Sequence, residues 1–274
     1  MKTWFITGAS RGFGALVTEL ALANGDAVVA TARNPKAITD RFRAHPNLLA
    51  VALDVSDEAQ AIAAADAAIA RFGRIDVLLN NAGFGLMGAV EEASAAEIEA
   101  VYRTNVFGLL TVTRAVLPHM RTARAGRILN ISSIGGYRGA AGFGVYSSTK
   151  FAVEGLSEAL HAELEPLGIH VTVVEPGYFR TDFLDSSSLS VSSTRIEDYD
   201  ATAGKMRTVA AGLSHNQPGD PAKLAQVLID FADAPNPPVR LPLGSDTVAA
   251  IEAKHASDAK ILANWRHVSI STDF

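Results

Sequence analysis

Hydrophobic and polar positions follow two alternating periods along this chain. Short apolar runs at Trp4–Ile6, Ala27–Ala30, Leu48–Leu53, Ile75–Leu79, Arg127–Ile131 and Ile169–Val174 have the length and β-branched content of strands buried on both faces. Longer stretches between them repeat apolar residues three and four apart, the spacing of helices that bury one face. End signals sharpen several of these. Asn34-Pro35 suits the start of a short helix closed by His45-Pro46, and Ser56 is the expected cap of an alanine-rich helix running to Phe72 and stopped by Gly73. Ser94 is the expected cap of a helix continuing through Leu117, and Asp220-Pro221 opens another that reaches Phe231. Val239–Leu243 predicts a last strand at a sheet edge, because Pro242 cannot serve a central ladder, and residues 247–264 predict a terminal helix. Strand and helix in strict alternation predict an α/β fold with a doubly wound, mostly parallel sheet flanked by helices, in one domain over residues 1–274.

Composition narrows the function classes. Hydrophobic residues make up 48% and charged residues 19% of 274, as in an ordinary globular enzyme. The net charge of −5 and the lack of a basic run argue against a nucleic-acid surface. There is no cysteine, which excludes disulfides and thiolate chemistry, and the seven histidines show no metal-ligand spacing, so no metal is expected. No run reaches the length of a membrane span, and the N-terminal apolar run is too short for a signal peptide; a cytoplasmic protein is the default expectation.

The first predicted strand leads into Gly8-Ala-Ser10-Arg11-Gly12-Phe13-Gly14 and then a helix. A glycine turn that opens a helix points backbone N–H groups and the positive dipole end at an anion, and lets a phosphate approach the main chain. This predicts a Rossmann-type nucleotide site. A fold of that type that prefers NAD carries a carboxylate about 20 residues beyond the glycines, to bind the ribose 2′-hydroxyl. Here that place is held by Ala32, beside Arg33, with Arg11 in the turn itself. Two guanidinium groups suit a 2′-phosphate, so NADP(H) is preferred to NAD(H), although both arginines also fit ordinary exposed positions. Farther on, small and amide residues in Asn80-Asn81-Ala82-Gly83 leave room for a flat ligand.

Chemistry concentrates in residues 131–150, where Ser133, Tyr146 and Lys150 share one strand–loop–helix passage. Tyr146 and Lys150 lie four apart, on one helix face. A phenol with an ordinary pKa near 10 needs help to move protons at neutrality, and an adjacent ammonium supplies it. Taken alone the pair also fits a solvated helix edge. Asn105, inside a predicted helix, similarly fits either a solvent-facing position or a functional one. Residues 182–217, rich in Ser, Thr and Asp, fit a mobile linker or a lid over ligand; a lid is favoured because the segment follows a strand end facing the crevice.

The series Thr7–Gly14, Asp54-Val55, Asn80–Gly83, Asn105–Gly108, Ser133 with Tyr146 and Lys150, and Pro176-Gly177 with Thr181 resembles the short-chain dehydrogenase/reductase family, in the Tyr-x-x-x-Lys subgroup of about 250 residues. The resemblance implies that Tyr146 is the general acid/base, Ser133 holds the substrate oxygen, and Lys150 binds the nicotinamide ribose and lowers the phenol's pKa. It implies that Asn105 holds a water in a proton relay to Lys150. Asp54 and Val55 would contact adenine, Asn81 to Gly83 the adenosine side, and Pro176, Gly177 and Thr181 the nicotinamide end. The expected substrate is a small apolar carbonyl compound or alcohol, bordered by Phe84, Leu86, Met87, Ile134, Tyr137, Phe143, Tyr178, Phe179 and Phe183. Alternatives on the same fold are an epimerase or dehydratase, and a cofactor-sensing regulator without turnover. The resemblance further implies a homo-dimer or homo-tetramer pairing helices near 94–117 and 148–165, with the extension at 235–274 covering a second interface.

Overall fold

Each strand's alternate side chains belong to opposite cores. Trp4 and Ile6 face one side and Phe5 the other; Val28 and Ala30 oppose Val29, Val77 and Leu79 oppose Leu78, and Leu129 opposes Ile128. A sheet buried on both faces in this way requires a helical layer on each. The computed structural model describes residues Met1 to Phe274 and shows that arrangement.

In chain order the elements are β1 (Thr3–Ile6), α1 (Gly12–Ala23), β2 (Ala27–Ala32), α2 (Lys36–Phe42), β3 (Leu48–Ala52), α3 (Glu58–Phe72), β4 (Val77–Asn80), β5 (Gly85–Met87), α4 (Ala95–Tyr102), α5 (Leu109–Ala123), β6 (Gly126–Ile131), α6 (Gly144–Leu164), β7 (Ile169–Pro176), β8 (Leu189–Val191), α7 (Lys205–Leu213), α8 (Pro221–Phe231), β9 (Arg240–Leu243) and α9 (Ser245–Ser269). Seven strands form a parallel sheet in the order β3-β2-β1-β4-β6-β7-β9. The connection reverses direction between β1 and β4, and such a switch point opens a crevice at the carboxyl ends of the strands. One face is covered by α1, α2 and α8 through residues such as Val17, Ile38, Leu224 and Leu228. The other is covered by α3, α5 and α6, where Ala61, Ala64, Ala65 and Ala68 let α3 lie close to the strands. No helix is long and apolar enough to cross a membrane.

Several local expectations are corrected. Asp57, not Ser56, caps α3, its side chain accepting from the Gln60 N–H; Ser56 instead donates to Asp54. Ser94 does cap α4, paired reciprocally with Glu97. The single helix expected over 94–117 is interrupted by a π-helical turn at Arg103–Gly108, and it continues through Pro118 to Ala123. Residues 182–217 contain more order than their composition suggests: β8 pairs in parallel with β5, and α7 follows. Composition missed that because β8 is only three residues long. The edge strand β9 pairs with β7 as expected, whereas α9 starts earlier and ends later than 247–264.

Candidate active site

The carboxyl ends of β1, β4, β6 and β7 open into one cleft of about 1160 Å³. Its walls include Gly8, Ser10, Arg11, Gly12, Phe13, Arg33, Asp54, Val55, Asn81, Ala82, Gly83, Ser133, Tyr146, Lys150, Pro176, Gly177 and Thr181. Two expected site residues stand behind this wall. Gly14 is buried, and a Cβ there would lie 2.6 Å from the Gly8 carbonyl oxygen, so only glycine lets the turn close. Asn105 is also buried, which excludes its solvent-facing reading. Its amide donates to the Phe84 carbonyl at 2.9 Å and accepts from the Phe84 N–H at 3.0 Å, holding the segment after β4 against the π-helical turn.

The glycine turn is a backbone device. Gly8 takes φ +65°, and the Asn81 side chain donates to the carbonyls of Thr7 and Gly8 at 2.9 and 3.1 Å. Thr7 Oγ1 accepts from the N–H groups of Asn81 and Ala82, both at 2.9 Å. The ends of β1 and β4 are thereby locked together. Helix α1 then begins at Gly12 with no side-chain cap and no acid in its first turn. Its N–H groups and dipole are left to face the cleft, as a pyrophosphate requires, and nothing lies within 4 Å of where a Gly12 Cβ would stand. Arg33 is exposed at the cleft edge. Arg11 reaches across to donate to the Ser187 carbonyl at 2.5 Å, linking the turn to the segment after β7.

The candidate residues Ser133, Tyr146 and Lys150 lie in the loop after β6 and on α6. Ser133 has extended backbone, φ −172°, and its hydroxyl accepts from the Gly135 N–H at 3.0 Å. Tyr146 and Lys150 occupy the first turns of α6 and are both buried, which excludes the solvated-edge reading. Burial pushes the Tyr146 phenol above its ordinary pKa, and its hydrogen bond with Ser133 draws it part of the way back. The Lys150 ammonium, 5.8 Å from the phenol ring centroid, donates to the Ile131 carbonyl at 2.9 Å. Burial lowers its pKa to about 8, against the opposing charge of Glu154. Desolvation of the buried ring is the largest influence on the phenol.

Around Tyr146 stand Phe143 and Phe183, with ring centroids 6.2 and 5.6 Å from its own, and Met87 and Leu189 close behind. Of the expected border residues, Phe84, Ile134, Phe143, Tyr178, Phe179 and Phe183 line the cleft. Leu86, Met87 and Tyr137 do not. Leu86 and Met87 are packed into cores, and Tyr137 turns away to stack on Arg240 and meet His255 of α9.

Sequence reasoning passed over Glu154, Glu175 and Arg240. Glu154 carried a signal, since it continues the face of Tyr146 and Lys150 one turn farther on; the other two are joined to it only by the packing of β7 and β9.

With this geometry in place, comparison with known proteins defines the class. The short chain dehydrogenase family matches residues 2–191, and the chain belongs to it. Among individual proteins, it is similar to oxidoreductase BOA17 of Botryotinia fuckeliana, 39% identical over 277 residues and covering 99% of both chains. It is also 39% identical over 240 residues to 3-ketodihydrosphingosine reductase of Bacteroides thetaiotaomicron, over 87% of this chain and 86% of the relative. A solved short-chain dehydrogenase from Streptomyces avermitilis superposes with a TM-score of 0.92 at 41% identity, each chain covered completely. ElxO with NADP bound superposes with a TM-score of 0.75 at 28% identity, over 90% of this chain and 99% of that one.

Proposed function

We propose that the protein is an NADP(H)-dependent oxidoreductase that interconverts a carbonyl group and a primary or secondary alcohol on a small apolar substrate, with Tyr146 as general acid and base. The observation that carries this reading is the meeting of Ser133 with the buried Tyr146 and Lys150 in the cleft that the uncapped start of α1 also faces. The family supports the reaction class.

The residues fit a dinucleotide. Gly8, Ser10, Gly12 and Phe13 with the α1 N-terminus would hold the pyrophosphate, Asp54 and Val55 the adenine, Asn81 to Gly83 the adenosine side, and Lys150 with Pro176, Gly177 and Thr181 the nicotinamide end. Ala32 offers no carboxylate to a ribose hydroxyl, while Arg11 and Arg33 suit a 2′-phosphate, and the NADP carried by ElxO supports that choice. When bound, the nicotinamide supplies or accepts the hydride at the substrate carbon.

In the reductive direction Ser133 and Tyr146 donate hydrogen bonds to the carbonyl oxygen, and Tyr146 gives it a proton as the alcohol forms. In oxidation the phenolate takes the proton back. Burial keeps the phenol protonated near neutrality, the form that reduction needs, while the phenolate that oxidation needs becomes more populated as pH rises. Lys150, as a cation, stabilises the phenolate, and Asn105 would hold the relay water. Phe143 and Phe183 beside the phenol favour an apolar ketone or aldehyde, and the Bacteroides relative's name, a reductase of a keto compound, supports a ketone. Segment 182–217 is the lid: Phe183, Leu184 and Leu189 come from it to face Tyr146. A homo-oligomer is supported by Phe107 and Phe151, which stand exposed beside α5 and on α6, the helices expected to pair.

The test is loss of reduced-dinucleotide absorbance over a panel of ketones and aldehydes, with NADPH and NADH, for wild type and Tyr146→Phe. NADPH-linked turnover that disappears in the variant, with NADPH affinity kept, is the expected result. A variant that retains most of the rate overturns the assignment, and tightly held NAD without turnover would favour an epimerase or dehydratase.

A further inference from the structure

Beneath the catalytic strand ends lies a charged group that the reaction above does not use. Arg240 of β9 donates through one nitrogen, Nη1, to both Glu154 of α6 at 2.5 Å and Glu175 of β7 at 2.6 Å. Its other face holds Glu158, at 2.9 Å from Nη2, and stacks on Tyr137 with 5.3 Å to the ring centroid. Glu154 and Glu175 are almost wholly buried, while Glu158 is half-exposed and solvated. Two buried carboxylates therefore meet a single guanidinium. With both ionised, one negative charge would be left over in a place from which water is excluded, a costly arrangement that a shared proton relieves.

The oxygens turned away from Arg240, Glu154 Oε1 and Glu175 Oε2, are buried without a hydrogen-bond partner, as is Ser132 Oγ. Ser132 Oγ and Glu154 Oε1 both crowd Gly136, where a Cβ would come within 2.6 and 2.9 Å of them. Such orphaned acceptors in a buried cluster mark a place for a proton. The cluster touches the catalytic frame at three points. Glu154 is one helical turn beyond Lys150, Ser132 precedes Ser133, and Glu175 precedes Pro176-Gly177 on the cleft wall.

We propose that Glu154 and Glu175 share one proton, and that the negative charge left on the pair, clamped by Arg240, is a positioning device that keeps Lys150 cationic and aimed at Ile131. The role of Lys150 rests on the oxidoreductase reading; the state of the pair does not. The groups that face it are Lys150 and Glu158 on α6, Arg240 on β9, Ser132 after β6 and Tyr137 with its neighbour His255 of α9. Burial, reinforced by the charge of Glu175, lifts Glu154 to about 7 in spite of Ser132 and Arg240, in keeping with an acid that stays partly protonated near neutrality.

The test reads Lys150 directly, by pH titration of its side-chain resonance in lysine-labelled protein, in wild type, Glu154→Gln and Glu154→Asp. Glu154→Gln confines the pair's negative charge to Glu175 and removes the carboxylate whose charge acts on Lys150, so it should move the Lys150 titration down by about one pH unit, and Glu154→Asp, which restores a carboxylate there, should return it toward wild type. The alkaline fall of NADPH affinity should move with it. Infrared spectra of wild type at pH 7 should show a protonated carboxyl absorption that Glu154→Gln removes. This second measurement decides the matter if the Gln variant does not fold: no protonated carboxyl in wild type at neutral pH overturns the proposal. An unmoved Lys150 titration overturns it even in a fully active enzyme. A moved titration in a protein that reduces no carbonyl would instead overturn the oxidoreductase reading alone.

Discussion

The two halves of the sheet prepare their parts of the cleft by opposite means. Around β1 and β4 the working surface is main chain: glycines without side chains, an uncapped helix start, and Asn81 and Thr7 spent on holding carbonyls and N–H groups in place. Around β6 and β7 it is side chain, with Tyr146 and Lys150 drawn out of water beside Ser133 and backed by buried charge. At Gly14 the main-chain surface tolerates no added volume, because an extra carbon meets backbone that cannot yield. A side-chain surface tolerates shape changes better and charge changes badly, because each buried group sets its neighbour's protonation.

Substitutions can break this contrast, and the largest effect is expected on the side-chain half. Lys150→Met should lower kcat/KM for carbonyl reduction by about 10³-fold in steady-state assays while the protein still melts cooperatively. Next, on the main-chain half, Gly14→Val should weaken NADPH binding by more than about tenfold in fluorescence titrations, since its Cβ would lie 2.6 Å from the Gly8 oxygen and 2.7 Å from the Asn81 amide. A Gly14→Val protein with wild-type affinity would remove the contrast. Asn81→Ala leaves two backbone carbonyls without their donor and should cost about 1–3 kcal/mol in denaturant unfolding, with Tyr146 chemistry on saturating NADPH little changed.

A pH prediction sharpens the same point. An acid lifted from its usual value to about 7 binds its proton more tightly in the folded chain, so the folded state holds more protons than the unfolded one between about pH 4.5 and 7. Glu154 therefore contributes stability that is present in acid and lost as pH rises through about 7. Unfolding followed from pH 5 to 8 should show that loss in wild type and a flatter profile in Glu154→Gln. The smallest effect belongs to Arg33→Ala, which should reduce the preference for NADPH over NADH by about tenfold or less, because the guanidinium is exposed and screened.

The same contrast explains how far the sequence could be read. Main-chain surfaces leave glycines at fixed spacing, so Gly8, Gly12 and Gly14 are visible without coordinates. Tyr146 and Lys150 are visible because a helix turns their spacing into adjacency. The parallel order of the large sheet also follows from alternating periods. Glu154, Glu175 and Arg240 come from three elements, and nothing local in any one of them announces the other two. The burial that raises the phenol's pKa is hidden for a related reason: the ammonium is near in sequence, whereas desolvation is a property of the whole packed site. Tyr137 illustrates the point at a single residue: an aromatic in the loop between Ser133 and Tyr146 reads as a substrate contact and instead faces α9.

That last contact ties the tail of the chain to the loop that holds Ser133. Tyr137 sits between Ser133 and Tyr146 in sequence, and the ring it leans on, His255, arrives more than a hundred residues later. A protein cut short after β9 would keep Ser133, Tyr146 and Lys150 and lose the buttress behind the loop that joins β6 to α6. Trimming the far end to tidy the molecule would slacken its workbench.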